Sequence, residues 1–366
     1  MTSDTQQFWW PTGSASGAGS MPGTDPARAI RTVFDELPDL PHLPELPGRG
    51  PGADMIGRTA GLLADLPAET SAGRWRLTQR PGRDLRRARD LLAADLDELE
   101  EAAEGYEGPL KIQVCGPWTL AASVELPSSQ DVALADHGAV ADLIASLAEG
   151  ITGHVADVRK RVPGARLLLQ LDEPMLTAVL DGAVPTASGW RRLAEVEADV
   201  ATEGLRAVLD AAQASSAGQA SGVATASGAG QTSVDRQAYG LVHCCADRVP
   251  FGMIMKSGAR GIWLDLSQLR RGDEDGLAEA IEAGAGIFAG VAQALDPQPP
   301  EPRAMAAQVT GLLHRLGLLT ARSADQVVIG PACGLDGASP ERAVAVLAAC
   351  REAGRILPEM IEEGSA

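Results

Sequence analysis

The sequence is short of aromatic residues and of positive charge, and each shortage limits what the chain can be. Aromatic residues make up only 3% of its 366 residues, so aliphatic side chains must supply the core of a chain that is 45% hydrophobic. The formal net charge is −18 at pH 7. Because polyanions repel such a chain, we expect neither a nucleic acid nor an anionic membrane as its main partner.

Long hydrophobic runs and a disulfide-type cysteine pattern are also missing. No apolar run approaches the ~20 residues that a membrane-spanning helix needs, and residues 1–7 lack the basic start of a signal peptide. The five cysteines do not have the arrangement of a secreted disulfide framework. We therefore expect a cytoplasmic protein.

The chain contains a regular alternation of short aliphatic runs and helical patterns. The runs lie near Ala18 and His42 and at 109–116, 165–172, 239–245, 261–267, 286–292 and 326–332, with helical patterns such as 132–158 and 190–212 between them. Nearly continuous aliphatic runs are typical of parallel strands that are buried on both faces. Eight strand–helix units in a chain of this length predict a single (β/α)8 TIM barrel, an α/β fold.

Two segments fall outside this alternation. Residues 1–17 are rich in Ser, Gly and Thr, which predicts a flexible N-terminal arm ahead of a barrel at 18–366. Residues 213–231 are nearly all Ala, Ser, Gly, Thr and Gln, and they bury too little apolar surface to offset their ordering entropy. We interpret 213–231 as a disordered, low-complexity insertion before the fifth strand, the alternative being a linker between two domains.

Potential metal ligands stand at the ends of three predicted strands. His243 and Cys245 share one face of the fifth strand, because side chains alternate along a strand. Asp265 and Cys333 end the sixth and eighth runs, and the carboxyl ends of barrel strands meet at one rim. Nitrogen, sulfur and oxygen donors of this kind suit Zn²⁺. The alternative is structural, since strand cysteines are often buried as small hydrophobes and a histidine can be satisfied in a core.

Five short motifs lie at or near these strand ends. They are GSMPGT at 19–24, GPWT at 116–119, LDEP at 171–174, HCC at 243–245 and PACGL at 331–335. Together they resemble the C-terminal, catalytic barrel of cobalamin-independent methionine synthase, in the superfamily that also contains uroporphyrinogen decarboxylase. The resemblance runs from residue 19 to about 335, and the HxC and PxCGL motifs in combination are its most specific part. It implies a zinc-dependent methyltransferase that acts on a thiol, with homocysteine as the acceptor.

The resemblance also implies a metal site. His243, Cys245 and Cys333 carry over as zinc ligands, and Asp265 stands where the family has a glutamate as its fourth ligand. Its side chain is one methylene shorter than that glutamate. A thiol that coordinates zinc is deprotonated, so the metal would present a thiolate nucleophile to the methyl group.

A substrate site is implied in the same way. Ser20 would hold the carboxylate of homocysteine, while Asp172, as the catalytic residue, and Glu45 would accept hydrogen bonds from its ammonium group. Two alternatives remain open. Glu45 can be a solvated loop carboxylate in a proline-rich stretch, and Asp172 can cap the turn that follows it.

The methyl donor follows less directly from the sequence. Full-length members of the family have a preceding barrel that helps to bind the polyglutamate tail of methyl-folate, and we find no counterpart of it here. We therefore expect the donor to be either methyl-folate or a methyl-corrinoid protein. The other functions considered are a non-catalytic zinc- or thiol-binding barrel and a metal-free uroporphyrinogen decarboxylase-like enzyme. The HxC and PxCGL motifs argue against the second of these, because such a decarboxylase needs no zinc ligands.

Overall fold

The computed structural model describes residues 8–214, 237–296, 298 and 300–365. Its strands are β1 (Ala68–Ser71), β2 (Arg74–Leu77), β3 (Pro109–Cys115), β4 (Arg166–Asp172), β5 (Tyr239–His243), β6 (Gly261–Asp265), β7 (Gly286–Ala292) and β8 (Val327–Pro331). Strands β3 to β8 form one parallel sheet in chain order, and β1 and β2 form a separate antiparallel hairpin. The expected α/β fold is confirmed, and its parallel sheet is curled.

Helices cover the outer face of this sheet. They are α1 (Pro26–Glu36), α2 (Met55–Leu62), α3 (Arg83–Ala102), α4 (Pro117–Ala121), α5 (His137–Arg161), α6 (Leu176–Leu180), α7 (Ala198–Ala214), α8 (Phe251–Lys256), α9 (Glu274–Glu282), α10 (Pro302–Arg315), α11 (Ala321–Gln326) and α12 (Pro340–Ser365). Among the residues described, no helix combines the length and the apolar character needed to cross a membrane. The helix predicted from residue 190 begins only at Ala198, because residues 185–192 form a loop closed by an antiparallel bridge.

The first two predicted strands are irregular. Single parallel bridges join Ala15 to Ile329, Ser20 to Glu45 and His42 to Lys111, so these two segments continue the sheet from β8 round to β3. The regular sheet therefore has six strands rather than the eight expected. Pro41 and Pro44 explain part of the difference, since proline has no N–H to donate to a strand ladder.

The N-terminal segment is packed where it is described, from residue 8 onward, whereas its composition predicted a flexible arm over residues 1–17. Phe8, Trp9 and Trp10 are buried against the starts of β5, β7 and β8, inside the curled sheet. The Trp10 indole N–H donates to the carbonyl of Asp325 at 3.1 Å, and the Ser16 N–H donates to Ile329 at 2.9 Å. Three adjacent aromatic side chains bury much apolar area, which offsets the entropy of ordering the segment.

The low-complexity insertion is described only at its start. Residues 213 and 214 are the last of α7, and residues 215–231 lie outside the described part of the chain.

The hydrophobic core of the described residues consists of two clusters. The larger cluster lies between the sheet and its helices, and the smaller one fills the inside of the curl at the N-terminal ends of the strands. Polar side chains are thereby concentrated at the opposite, C-terminal ends.

Candidate metal and substrate site

A cavity of about 310 Å³ lies at the C-terminal ends of the parallel strands. Six of the seven predicted site residues line it, namely Ser20, Glu45, Asp172, His243, Cys245 and Cys333. Asp54 and Asp336 also line it, although the sequence patterns gave no reason to single them out. Asp265 is not among the lining residues.

Three of the predicted metal ligands converge in this cavity. One donor atom from each of His243, Cys245 and Cys333 lies within 4.8 Å of the others. The two sulfur atoms are 3.8 Å apart, and both cysteines are free. Two thiolates bound tetrahedrally to one zinc ion at about 2.3 Å would be separated by about 3.8 Å, whereas disulfide sulfurs are about 2.05 Å apart. The spacing of these sulfurs therefore suits a shared metal ion.

Asp172 fixes the orientation of the His243 ring. The two residues are direct neighbours in the β4–β5 register, and Nδ1 of His243 lies 2.7 Å from Oδ1 of Asp172. The other ring nitrogen, Nε2, is buried and has no hydrogen-bond partner among the described residues. A carboxylate on one histidine nitrogen commonly orients the other toward a metal. The orphaned nitrogen and the two sulfurs thus form a donor set that fits zinc.

Of the three donors, the electrostatics favour the metal-binding form only for Cys333, because a histidine ligand must be neutral and a cysteine ligand must be ionised. Burial opposes the imidazolium form of His243, but the hydrogen bond and charge of Asp172 outweigh burial and raise the pKa of this histidine. The contact from the Cys245 thiol lowers the pKa of Cys333 to about 6. The same contact raises the pKa of Cys245. One thiolate is therefore available near neutral pH, and metal binding would have to displace the proton of the second.

Asp265 lies outside the group formed by the other three predicted ligands. Its carboxylate oxygens accept hydrogen bonds from the Gln293 side chain at 3.2 and 3.3 Å, and Oδ1 also accepts from the Ser267 N–H at 2.9 Å. In the β5–β6 register His243 faces Trp263, so Asp265 stands two residues further along its strand. Its role as fourth ligand stays a prediction.

A buried carboxyl group in the cavity lining lies above a buried amine that is not part of the lining. Burial raises the pKa of Glu45 to about 7, and its carboxylate accepts a 3.4 Å hydrogen bond from Gln113. Beneath it, Lys111 is fully buried and donates to the Ala18 carbonyl at 3.0 Å and to Gln113 at 3.3 Å. Burial lowers the pKa of Lys111 to about 7, although the charges of Asp172 and Glu45 oppose this shift. Lys111 was not identified from the sequence, because it sits inside a mostly aliphatic strand.

Ser20 donates to a carboxylate of its own chain. Its hydroxyl lies 2.7 Å from Oδ1 of Asp336, and its carbonyl accepts the N–H of Leu335. The turn at Ser20 is therefore fastened to the PACGL segment. The hydroxyl that was predicted to hold a substrate carboxylate already has an acidic partner.

The GPWT and LDEP motifs form one hydrogen-bonded unit through Glu173. Its carboxylate accepts the N–H of Trp118 at 2.9 Å and both the N–H and the hydroxyl of Thr119, at 2.8 and 2.7 Å. Its own N–H donates to the His243 carbonyl at 2.8 Å. The Asp172–Glu173 pair thus holds His243 by both its ring and its main chain.

Comparison with known proteins shows a shared fold. The sequence matches no protein-family model and no curated protein. A B12-independent methionine synthase from Shewanella sp. W3-18-1, solved with selenomethionine, has a TM-score of 0.62 at 12% identity over 96% of this chain and all of that one.

Two further structures have the same arrangement. A putative vitamin-B12-independent methionine synthase from Listeria monocytogenes gives a TM-score of 0.56 at 13% identity, covering 97% of this chain and 98% of that one. A methyltransferase from Methanosarcina mazei gives 0.53 at 15% identity, covering 95% and 94%. The resemblance noted in the motifs is therefore confirmed as a likeness of fold.

Proposed function

We propose that this chain is a zinc-dependent methyltransferase that transfers a methyl group to a thiol. The observation that carries the proposal is the convergence of His243 Nε2 with the sulfurs of Cys245 and Cys333 in an accessible cavity. Catalytic zinc sites commonly have three protein ligands and one open position, whereas structural sites have four. The fold shared with two methionine synthases and a methyltransferase supports the same reaction class.

His243, Cys245 and Cys333 would hold the metal, with Asp265 proposed as a fourth ligand when no substrate is bound. Zinc would supply a Lewis acid that keeps an acceptor thiol deprotonated at neutral pH. In the transfer, a carbon–sulfur bond forms on the acceptor. The bond between the methyl group and its donor breaks and leaves its electron pair on the donor, while the thiol proton passes to solvent. The donor would be methyl-folate or a methyl-corrinoid protein.

The protein's own residues would bind and orient the acceptor. The carboxylate of Asp172 contacts Nδ1 of His243, so Nε2 on the other side of the ring points away from that carboxylate. Glu45 and Asp172 are suited to accept hydrogen bonds from an ammonium group. Homocysteine is the acceptor that the motif resemblance implies, and its ammonium would bind there.

Metal analysis of variants that each lack one cysteine tests the proposal. Protein purified without chelator should contain about one zinc per chain, and Cys245→Ala and Cys333→Ala should lose it. Cys244→Ala is the matched control, because this neighbouring cysteine is buried in the core away from the cavity. Transfer of labelled methyl from methyl-folate or methylcobalamin to homocysteine is then measured for the same four proteins. Zinc content that is unchanged in Cys245→Ala and Cys333→Ala would contradict the proposal.

A further inference from the structure

Apart from His243, whose ring is engaged by Asp172, the ionisable side chains that line the cavity are all acidic. Four carboxylates belong to the lining, from Glu45, Asp54, Asp172 and Asp336, together with the two thiols of the metal-binding group. No Lys or Arg is among the lining residues in the described part of the chain. A substrate group that enters this space therefore meets acceptors of hydrogen bonds and negative charge.

The nearest buried cations are already engaged below the cavity wall. Lys111 donates to a main-chain carbonyl and to Gln113. Arg49 and Arg58 both donate to the buried carboxylate of Asp95, at 2.7 Å. None of the three lines the cavity, so none is placed to pair directly with a substrate carboxylate.

Asp336 and Ser20 form a hydrogen-bonded pair directly beside the candidate metal ligand Cys333. A Cβ atom on Gly334 would lie 2.0 Å from the Ser20 hydroxyl and 3.4 Å from Oδ1 of Asp336, so the pair packs on the main chain of the next residue after Cys333. The Ser20 hydroxyl donates to Asp336. A substrate carboxylate at this point would have to displace Asp336 from the hydroxyl and would then face its charge.

We infer that the cavity favours thiol acceptors that carry a positive charge and disfavours those that carry a carboxylate. Asp336 is a specificity-determining residue in this selection. The inference rests on the proposed thiol methyltransferase function and narrows its acceptor to aminothiols. An ammonium group finds carboxylate partners in Glu45, Asp172 and Asp336. A carboxylate would lose hydration without gaining a Lys or Arg partner, which is costly, and such unpaired groups are a common source of specificity.

Three thiols that each lack one or both charged groups of homocysteine test this inference. 3-Aminopropane-1-thiol is homocysteine without its carboxylate, 4-mercaptobutanoate lacks the ammonium, and 1-propanethiol lacks both. Each is titrated into Co²⁺-substituted protein, with the thiolate-to-cobalt absorption band as the signal and each affinity corrected for the pKa of the free thiol. We expect 3-aminopropane-1-thiol to bind at least about tenfold more tightly than homocysteine and 4-mercaptobutanoate to bind most weakly.

Three variants separate specificity from structural damage. Asp336→Asn should reduce the preference for the aminothiol over homocysteine by about threefold or more, since one exposed carboxylate contributes a modest interaction. Asp142→Asn removes the same charge from the exposed face of α5 and should leave the preference unchanged. Ser20→Ala removes the hydroxyl but keeps the Asp336 charge, so it should retain the preference even if all affinities fall.

The outcomes distinguish this inference from the proposed function. Tighter binding of homocysteine than of 3-aminopropane-1-thiol by the unmodified protein would overturn the inference and leave the thiol site standing. If the ratio of the affinities for 3-aminopropane-1-thiol and homocysteine is the same in Asp336→Asn and in the parent, Asp336 does not determine the specificity. If none of the four thiols, 1-propanethiol included, changes the cobalt spectrum, the proposed function fails and the inference fails with it.

Discussion

Lys111 is the residue whose burial has the clearest thermodynamic consequence. It is fully buried, and burial lowers its pKa to about 7. Between pH 7 and its ordinary pKa of about 10.4, the unfolded chain holds a proton that the folded chain has released. Stability therefore rises with pH over this range, by up to about 1.4 kcal/mol per pH unit.

The test is the pH dependence of urea unfolding in the parent and in Lys111→Met. Methionine fills a similar volume without a charge, so the variant should lack this contribution and show a flatter rise between pH 7 and 10. The slope of the profile is the test, because the loss of the hydrogen bonds to Ala18 and Gln113 opposes the gain from removing a buried charge at pH 7. Parallel pH profiles for the two proteins would show that Lys111 titrates normally.

Asp172 shows what sequence reasoning can and cannot assign to a residue. Its position at a strand end predicted that it would face the cavity, and it does. Its contact with His243 depends on the β4–β5 register, which a single sequence does not specify. For the same reason Asp336 was not anticipated, since its meeting with Ser20 joins positions 316 residues apart.

At the scale of elements, the strands with continuous aliphatic interiors were predictable and the N-terminal segment was not. Strands β3 to β8 are almost entirely buried, so periodicity and length identified them. Residues 8–17 have a Gly- and Ser-rich composition that is typical of a mobile terminus. Only their packing inside the curl reveals the aromatic side chains as part of the core.

Trp10 provides the test of that segment. Its ring lies 5.1 Å from those of Tyr239 and Phe288, and no Cβ could be accommodated on Gly286 beside it. Trp10→Ala should lower the free energy of unfolding by about 3–5 kcal/mol. Zinc content under native conditions should stay the same, because Trp10 packs at the ends of the strands opposite the cavity.

Trp190 is the matched control for this measurement, since it is 92% exposed. Trp190→Ala should change stability by no more than about 0.5 kcal/mol. Similar urea midpoints for the two variants would mean that the N-terminal segment is not held as the structure indicates.

At the scale of the whole molecule, the site belongs to no single element. His243 ends β5, Cys245 lies two residues after it, and Cys333 follows β8. Asp172 comes from β4, and Ser20 comes from the irregular segment that bridges to Glu45. The motifs predicted the residues that gather, but a position at a strand end was not sufficient, since Asp265 ends β6 and lies outside the lining. They did not predict which carboxylates line the cavity with them, since loop conformation decides that.

A site assembled from distant segments couples metal binding to global stability, because the unfolded chain cannot present the three donors together. A ligand that binds only the folded state at a free concentration 1,000-fold above its dissociation constant stabilises it by about 4 kcal/mol. We therefore expect the thermal midpoint of metal-free protein to rise by several degrees on addition of Zn²⁺. The rise should be absent in Cys333→Ala and retained in Cys244→Ala. Differential scanning calorimetry of the three proteins, with and without zinc, measures this. An equal zinc-induced shift in Cys333→Ala would mean that the stabilising metal binds elsewhere on the chain.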